Sequence, residues 1–243
     1  MRLVVSPVLG AVVIGMSLIG SAPAFAGNEA ETADLLVKLI QAGRKVMAEH
    51  QTTINDPALG DKGFTPEVFE KELAQKYLDL AKYDLSQPPK TPQDKLIHTL
   101  KDAGKDVVAD HQPAINRPGL AYKNFIPAVW ARKTGEKFEK MSGIRLKLTS
   151  ANYRYAGNKP DEFEVEVLRL FEDKEYPKGK GYSRTTMQDG KPVLRVVVPE
   201  YAAKSCLSCH GEPKGQRDPS GAGKEGWKEG DLAGAISLTM TMK

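Results

Sequence analysis

Apolar residues recur at spacings of three or four positions in two stretches of the chain, and this period predicts two amphipathic helices. Asn55-Asp56-Pro57 and Asn116-Arg117-Pro118 should end them, because the residue before a proline is disfavoured in the helical conformation. Thr65-Pro66 and Ile126-Pro127 then predict the start of a second helix in each stretch. The apolar stripes comprise Leu36, Leu39, Gly43, Val46, His50 and Ile54 in the first stretch and Ile97, Leu100, Gly104, Val107, His111 and Ile115 in the second.

The two stretches are copies of one helix-loop-helix unit. Residues 43–51 resemble residues 104–112, and the motifs Ile-Asn-x-Pro and Lys-x-Phe-x-Pro follow in both copies at the same offset without gaps. So many identities in one register indicate an internal duplication. The proline-rich segment 86–92 connects the copies.

The second half of the chain changes to the alternating pattern of β-strands. Strands are predicted at Ile144–Thr149 and Ala233–Met240, and a hairpin is predicted from Tyr182–Thr186 and Val193–Val198 around residues 188–192. A helix is predicted over Asp161–Phe171, after Pro160. Helices followed by a small antiparallel sheet predict an α+β fold in which the duplicated helical units pack on the sheet.

The N-terminus has the pattern of an export signal. Arg2 precedes an apolar run, and Ala24-x-Ala26 suits cleavage after Ala26, so residues 1–26 are predicted to be a signal peptide. The alternative is a retained membrane anchor. No later stretch reaches the roughly 18 apolar residues of a transmembrane helix, so we expect no stable membrane span after leader removal and a periplasmic location.

The charge balance argues against a nucleic-acid partner. The chain has 35 basic and 31 acidic residues and a formal net charge of +4, and loss of Arg2 with the leader would leave +3. Charges of both signs are interspersed without a basic stripe.

No nucleophile motif, phosphate-binding loop or dinucleotide fingerprint is present, so we do not expect an enzyme.

The segment Cys206-Leu207-Ser208-Cys209-His210 has the CxxCH form of c-type haem attachment. Two intervening residues allow one turn of backbone to present both sulfurs to the vinyl groups of one porphyrin edge. The following imidazole then lies beneath the ring, toward the iron. Cys206 and Cys209 are therefore predicted to form thioethers to a single covalent haem c, with His210 as proximal iron ligand.

Other uses of this motif fit less well. A zinc site needs about four ligands, and the chain has no second CxxC or HxxxH pair to complete one. A redox dithiol normally opens a helix, whereas residues 211–215, Gly-Glu-Pro-Lys-Gly, would stop one. A disulfide or dithiol pair is the remaining alternative, since the chain contains only these two cysteines.

Five segments carry a resemblance to a known family: Lys123–Ala128, Tyr153-Arg154, Asn158–Glu164, the CxxCH segment with Pro213-Lys214-Gly215, and Gly230–Ser237. Through these segments most of the mature chain, most specifically from Lys123 onward, resembles a family of PAS-like, single-haem c-type proteins. That family occurs as free-standing exported proteins and as the sensor region of bacterial kinases. The resemblance implies a PAS-like sheet carrying haem c and roles in electron transfer or in redox or ligand sensing.

The distal ligand cannot be carried over from that family. Its distal cysteine has no counterpart here, and Tyr155-Ala156 stands where Asn-Pro is expected. His111 is the first candidate because it belongs to the unit joined to the sheet, and His50 is the alternative. Both could instead be core imidazoles, and an open site, water or methionine are further alternatives. His98 lies off the stripe and is expected at the surface.

These observations predict an exported haem c protein for electron transfer or redox sensing, with a redox or signalling partner protein. The predicted organisation is a leader (1–26), a first helical unit with its connector (27–90) and a haem c domain (91–243). Arg154 could bind a haem propionate or form an ion pair. A gas sensor with an open sixth position is the alternative, and an enzyme acting on peroxide or nitrogen oxides is a weaker one. A homodimer is compatible with the sequence.

Overall fold

The computed structural model describes residues 27–242, so the predicted signal peptide lies outside the described residues. This part of the chain contains seven α-helices and one four-stranded antiparallel sheet, which confirms the predicted α+β class. The helices are α1 Gly27–Glu49, α2 Gln51–Ile54, α3 Pro66–Ala81, α4 Pro92–Ile115, α5 Pro127–Ser142, α6 Glu162–Glu172 and α7 Leu207–His210. The strands are β1 Arg145–Thr149, β2 Tyr182–Gln188, β3 Lys191–Tyr201 and β4 Leu232–Thr241.

Local sequence signals explain where the long helices begin. The Thr65 hydroxyl accepts a hydrogen bond from the backbone N–H of Val68, and proline occupies the first turn of α3. Thr91 and Asp94 form a reciprocal capping box at the start of α4. These caps satisfy backbone donors that have no partner within a helix.

The duplicated units interlock in one helical bundle. Each glutamine that follows a repeat histidine donates to a carbonyl in the other copy, and each repeat asparagine accepts from the backbone of the other copy. These bonds are Gln51 Nε2 to Phe125 O (3.0 Å), Gln112 Nε2 to Phe64 O (3.0 Å), Lys62 N to Asn116 Oδ1 (3.2 Å) and Lys123 N to Asn55 Oδ1 (3.0 Å). The duplication therefore produces a pseudo-symmetric pair of connections that support one another.

Trp130 fills the centre of the bundle. Its side chain is fully buried, and its indole N–H donates to the carbonyl oxygen of Gly104 at 3.1 Å. Gly43 and Gly104, which hold equivalent places in the two copies, both face this ring. A Cβ atom at Gly43 would lie 2.1 Å from Cη2 of Trp130, so only glycine permits this approach.

The sheet has the strand order β1-β4-β3-β2 and is covered on both faces. Buried residues of β1, β3 and β4 join the bundle core on one face, and α6 packs on Val197 and Ala235 on the other. The hairpin turns more tightly than predicted, at Asp189-Gly190 alone. Both residues have positive φ (49° and 75°), which suits the two-residue turns that match strand twist.

No helix among residues 27–242 is long and apolar enough to cross a membrane.

The close packing at Gly43 gives a stability prediction. Gly43→Ala should lower the free energy of unfolding by about 1–3 kcal/mol, because the added methyl group overlaps a fully buried indole. This range is the net loss, because the steric cost of the overlap exceeds the gain of about 1 kcal/mol in helix propensity that alanine brings over glycine. Urea unfolding curves would measure it.

Gly60→Ala is the matched control, because no heavy atom lies within 4 Å of the added Cβ. Equal stability of the two variants would contradict tight packing around Trp130.

Candidate haem-binding site

The CxxCH segment lies between β3 and β4, as predicted. A short 3₁₀ turn, Lys204–Cys206, leads directly into α7. The helix ends at His210, where the N–H of Gly211 donates to the carbonyl of Leu207 at 2.9 Å. A Cβ at Gly211 would lie 2.5 Å from that oxygen, so glycine is needed for the chain to turn away immediately after the histidine.

Both cysteines are half-buried free thiols. They belong to adjoining turns of one continuous segment, so their sulfurs are carried by the same short stretch of backbone. No group of three or more His, Cys, Asp or Glu side chains that could hold a metal ion occurs within residues 27–242.

His210 is fixed through one ring nitrogen. Its Nδ1 lies 2.7 Å from Oε2 of Glu225, and its ring stacks on Trp227 with centroids 4.5 Å apart and planes inclined by 12°. The backbone N–H groups of Gly226 and Trp227 both donate to the His210 carbonyl, at 3.0 and 2.9 Å. The imidazole is thus held by Trp227 on its face and by Glu225 at Nδ1, and the backbone of His210 is held by Gly226 and Trp227.

The protonation of this pair follows from its surroundings. Burial and the nearby Arg154 lower the pKa of His210 more than Glu225 raises it, so the imidazole is neutral at pH 7. Burial alone would raise the pKa of Glu225, but hydrogen bonds from Arg154 and His210 lower it. An ionised carboxylate only accepts, so Nδ1 carries the proton and Nε2 keeps its lone pair.

Arg154 holds the segment that surrounds His210. Its Nε donates to Glu225 Oε1 at 2.8 Å, and its Nη2 donates to Glu225 Oε2 at 2.8 Å and to the carbonyl of Cys209 at 2.9 Å. Its Nη1 donates to Asp218 Oδ2 at 2.6 Å. The structure therefore uses Arg154 in ion pairs within the protein, and the contact with a propionate stays a prediction.

Asp218 anchors the other side of Arg154. Its side chain is only 1% exposed and also accepts hydrogen bonds from Ser220 and from the N–H of Ala222. Burial alone would raise its pKa, but the bonds from Ser220 and Arg154 outweigh burial and lower the pKa to about 2. Asp218 is therefore a permanent negative charge under physiological conditions.

The donor set fits a covalently attached haem. It contains two free thiols at the required spacing and a neutral imidazole whose Nε2 makes no hydrogen bond within the described residues. Tyr122 of the second helical unit lies near this segment. Its pKa is raised chiefly by burial and further by the negative charge of Asp218.

The remaining histidines have other surroundings. The Nδ1 of His111 lies 2.7 Å from the carbonyl of Val107, and its ring stacks on Phe125 at 4.3 Å. The Nε2 of His50 lies 2.8 Å from Glu72. The role of either histidine as distal ligand stays a prediction.

The expectation that His98 lies at the surface was wrong. The residue is half-buried, and its Nε2 is buried without a hydrogen-bond partner within the described residues. Helix α4 packs against α1, α3 and α5, so its covered surface is wider than one apolar stripe.

Sequence reasoning missed Glu225, Asp218 and Trp227. All three lie in the glycine-rich segment between α7 and β4, which has no periodicity that assigns an inward face. One signal was available, since Trp227 is one of only two tryptophans and stands in an otherwise polar segment.

The model of the Tll0287-like family matches residues 26–241. No curated protein matches the sequence. Among solved structures, the crystal structure of the cyanobacterial heme-protein Tll0287 is similar, with 18% sequence identity and a TM-score of 0.42, over 63% of this chain and 98% of that chain.

The role of Arg154 can be tested by removing its charge. Arg154→Gln should lower the free energy of unfolding by about 3 kcal/mol, because the carboxylate of Asp218 stays buried without its cation. Urea unfolding at pH 7 would measure the loss.

The control is Arg184→Gln, which removes an exposed arginine paired with the exposed Glu166 and should cost less than about 1 kcal/mol. An equally small effect of both substitutions would show that Arg154 does not hold this segment.

Proposed function

The chain belongs to the Tll0287-like family. We propose that it binds haem c and functions in electron transfer or redox sensing. Cys206 and Cys209 would form the thioethers, and Nε2 of His210 would bind the iron. One observation carries the proposal: one short continuous segment presents two free thiols and an imidazole whose Nδ1 is already hydrogen-bonded. When bound, the haem supplies one-electron Fe(III)/Fe(II) chemistry.

The surroundings of His210 support an electron-transfer or redox-sensing role. The imidazole is held by Glu225, by Trp227 and through its own carbonyl, so its position can remain the same in both oxidation states. An iron centre that reorganises little exchanges electrons readily. A redox or signalling partner protein would then approach the exposed part of the CxxCH segment, where Ser208 lies.

His111 remains our proposed distal ligand. Its Nδ1 has a carbonyl partner, which leaves Nε2 available in the same way as in His210. It also stacks on Phe125 in the connection that includes Tyr122, the residue close to Cys209. In His50, by contrast, Nε2 already pairs with Glu72. Two imidazole ligands would close the iron and favour electron transfer over gas binding.

A periplasmic location is part of the proposal. Export would place the two cysteines where haem c is attached in bacteria, and the signal-peptide pattern of residues 1–26 supports it.

Haem attachment is tested by producing the full chain in a bacterial host with a haem c maturation system. We expect mass spectrometry of the denatured protein to show one haem per chain, because thioether bonds survive denaturation. The double variant Cys206→Ser/Cys209→Ser should carry none. A wild-type chain of bare polypeptide mass, or one with the two sulfurs joined to each other, would overturn the proposed function.

The distal ligand is tested by the absorption spectrum of the same protein. The wild type should be low-spin in the ferric state and unchanged by carbon monoxide in the ferrous state. His111→Ala should give a high-spin ferric spectrum and bind carbon monoxide, because one coordination position opens.

His50→Ala is the matched control, since it removes the equivalent histidine of the other copy. A change in His50→Ala alone would assign the ligand to His50, and carbon monoxide binding by the wild type would favour a gas sensor.

A further inference from the structure

Glu225 contacts both the iron-ligand candidate and a fixed cation. Its Oε2 accepts from Nδ1 of His210 at 2.7 Å and from Arg154 Nη2 at 2.8 Å, while its Oε1 accepts from Arg154 Nε at 2.8 Å. The bidentate contact with the guanidinium fixes the plane of the carboxylate. Glu225 therefore points one charged oxygen at the Nδ1 proton and cannot readily rotate away.

The hydrogen bond affects how His210 would bind iron. A carboxylate partner at the second ring nitrogen raises the basicity of a metal-ligating histidine and fixes its orientation. A more basic ligand stabilises Fe(III) more than Fe(II), because the ferric ion carries the larger positive charge. Burial strengthens this effect, since the side chain of Glu225 is only 14% exposed.

The net charge of the network acts in the same direction as the hydrogen bond. The carboxylates of Glu225 and Asp218 share one guanidinium, that of Arg154, at 2.8 and 2.6 Å, so one negative charge of this group remains beside the imidazole. Arg154 thus moderates the influence of Glu225 without cancelling it.

We propose that Glu225 is a positioning residue that lowers the reduction potential of the haem by accepting a hydrogen bond from Nδ1 of His210. This inference rests on the proposed haem attachment at Cys206 and Cys209.

The segment that contains Glu225 has backbone hydrogen bonds that do not depend on the side chain of Glu225. The N–H groups of Gly226 and Trp227 hold this segment to the carbonyl of His210 through backbone atoms alone. Glutamine at position 225 can still offer an oxygen to Nδ1 of His210, so Glu225→Gln removes the negative charge and keeps the size of the side chain.

The test compares reduction potentials of haem-loaded variants by spectroscopic redox titration. Glu225→Gln should shift the equilibrium toward the ferrous form about tenfold, which corresponds to a rise of about 59 mV for one electron. Glu225→Asp keeps the charge and should restore part of the wild-type potential.

Glu212→Gln is the matched control. It removes a carboxylate of the same loop that is 66% exposed and whose ion pair, at 4.0 Å, is with Lys228. Its potential should equal that of the wild type. Equal potentials in wild type, Glu225→Gln and Glu212→Gln would overturn the inference while haem attachment stands, whereas a wild-type chain without haem would overturn the proposed function itself.

A measurement on the wild type covers the case in which Glu225→Gln fails to acquire haem. In the ferrous protein with ¹⁵N-labelled histidine, NMR should detect a slowly exchanging, strongly downfield proton on Nδ1 of His210. A ring proton that exchanges rapidly with water, or none on Nδ1, would contradict the bond to Glu225.

Discussion

The geometry around the two cysteines depends on one cation. Arg154 joins Asp218, Glu225 and the carbonyl of Cys209, and it thereby closes a polar segment that contributes few residues to the hydrophobic cores. Without the charge of Arg154, the carboxylate of Asp218, which is only 1% exposed, would lack its cation. Arg154, which follows strand β1, therefore connects the sheet to the site. It fixes Glu225, and Glu225 in turn orients the ring of His210.

The duplication accounts for the scaffold but not for the site. Both copies supply the same helix pattern and the same crosswise glutamine and asparagine bonds, which make one bundle around Trp130. The copies differ in the hydrogen-bond partners of their histidines. His50 pairs with Glu72, whereas Lys133 takes the place of that glutamate in the second copy and His111 bonds a backbone carbonyl instead. The repeat has thus kept its packing while the partners of its histidines changed.

The predicted elements agree with the structure wherever short-range pattern decides the conformation. Helix α6 begins after Asp161, whose side chain caps it, and the motif lies between β3 and β4 as expected. The hairpin was predicted with too long a turn, because Pro192 was assigned to the turn although it is paired with Met187 in the sheet. His98 was predicted at the surface for a related reason. The apolar periodicity of α4 describes one helix and does not show that α1, α3 and α5 all pack against it.

The duplication, the positions of the helices and strands and the cysteine-histidine spacing can be predicted from the chain alone, because each follows from a local backbone period or from adjacency along the chain. The groups that surround His210 come together only on folding. Arg154 meets Glu225 across 71 positions and Asp218 across 64, and His210 meets Glu225 across 15, in a segment without regular secondary structure. Contacts of this kind arise when distant polar groups are buried together and must satisfy one another, a condition that exists only in the folded chain.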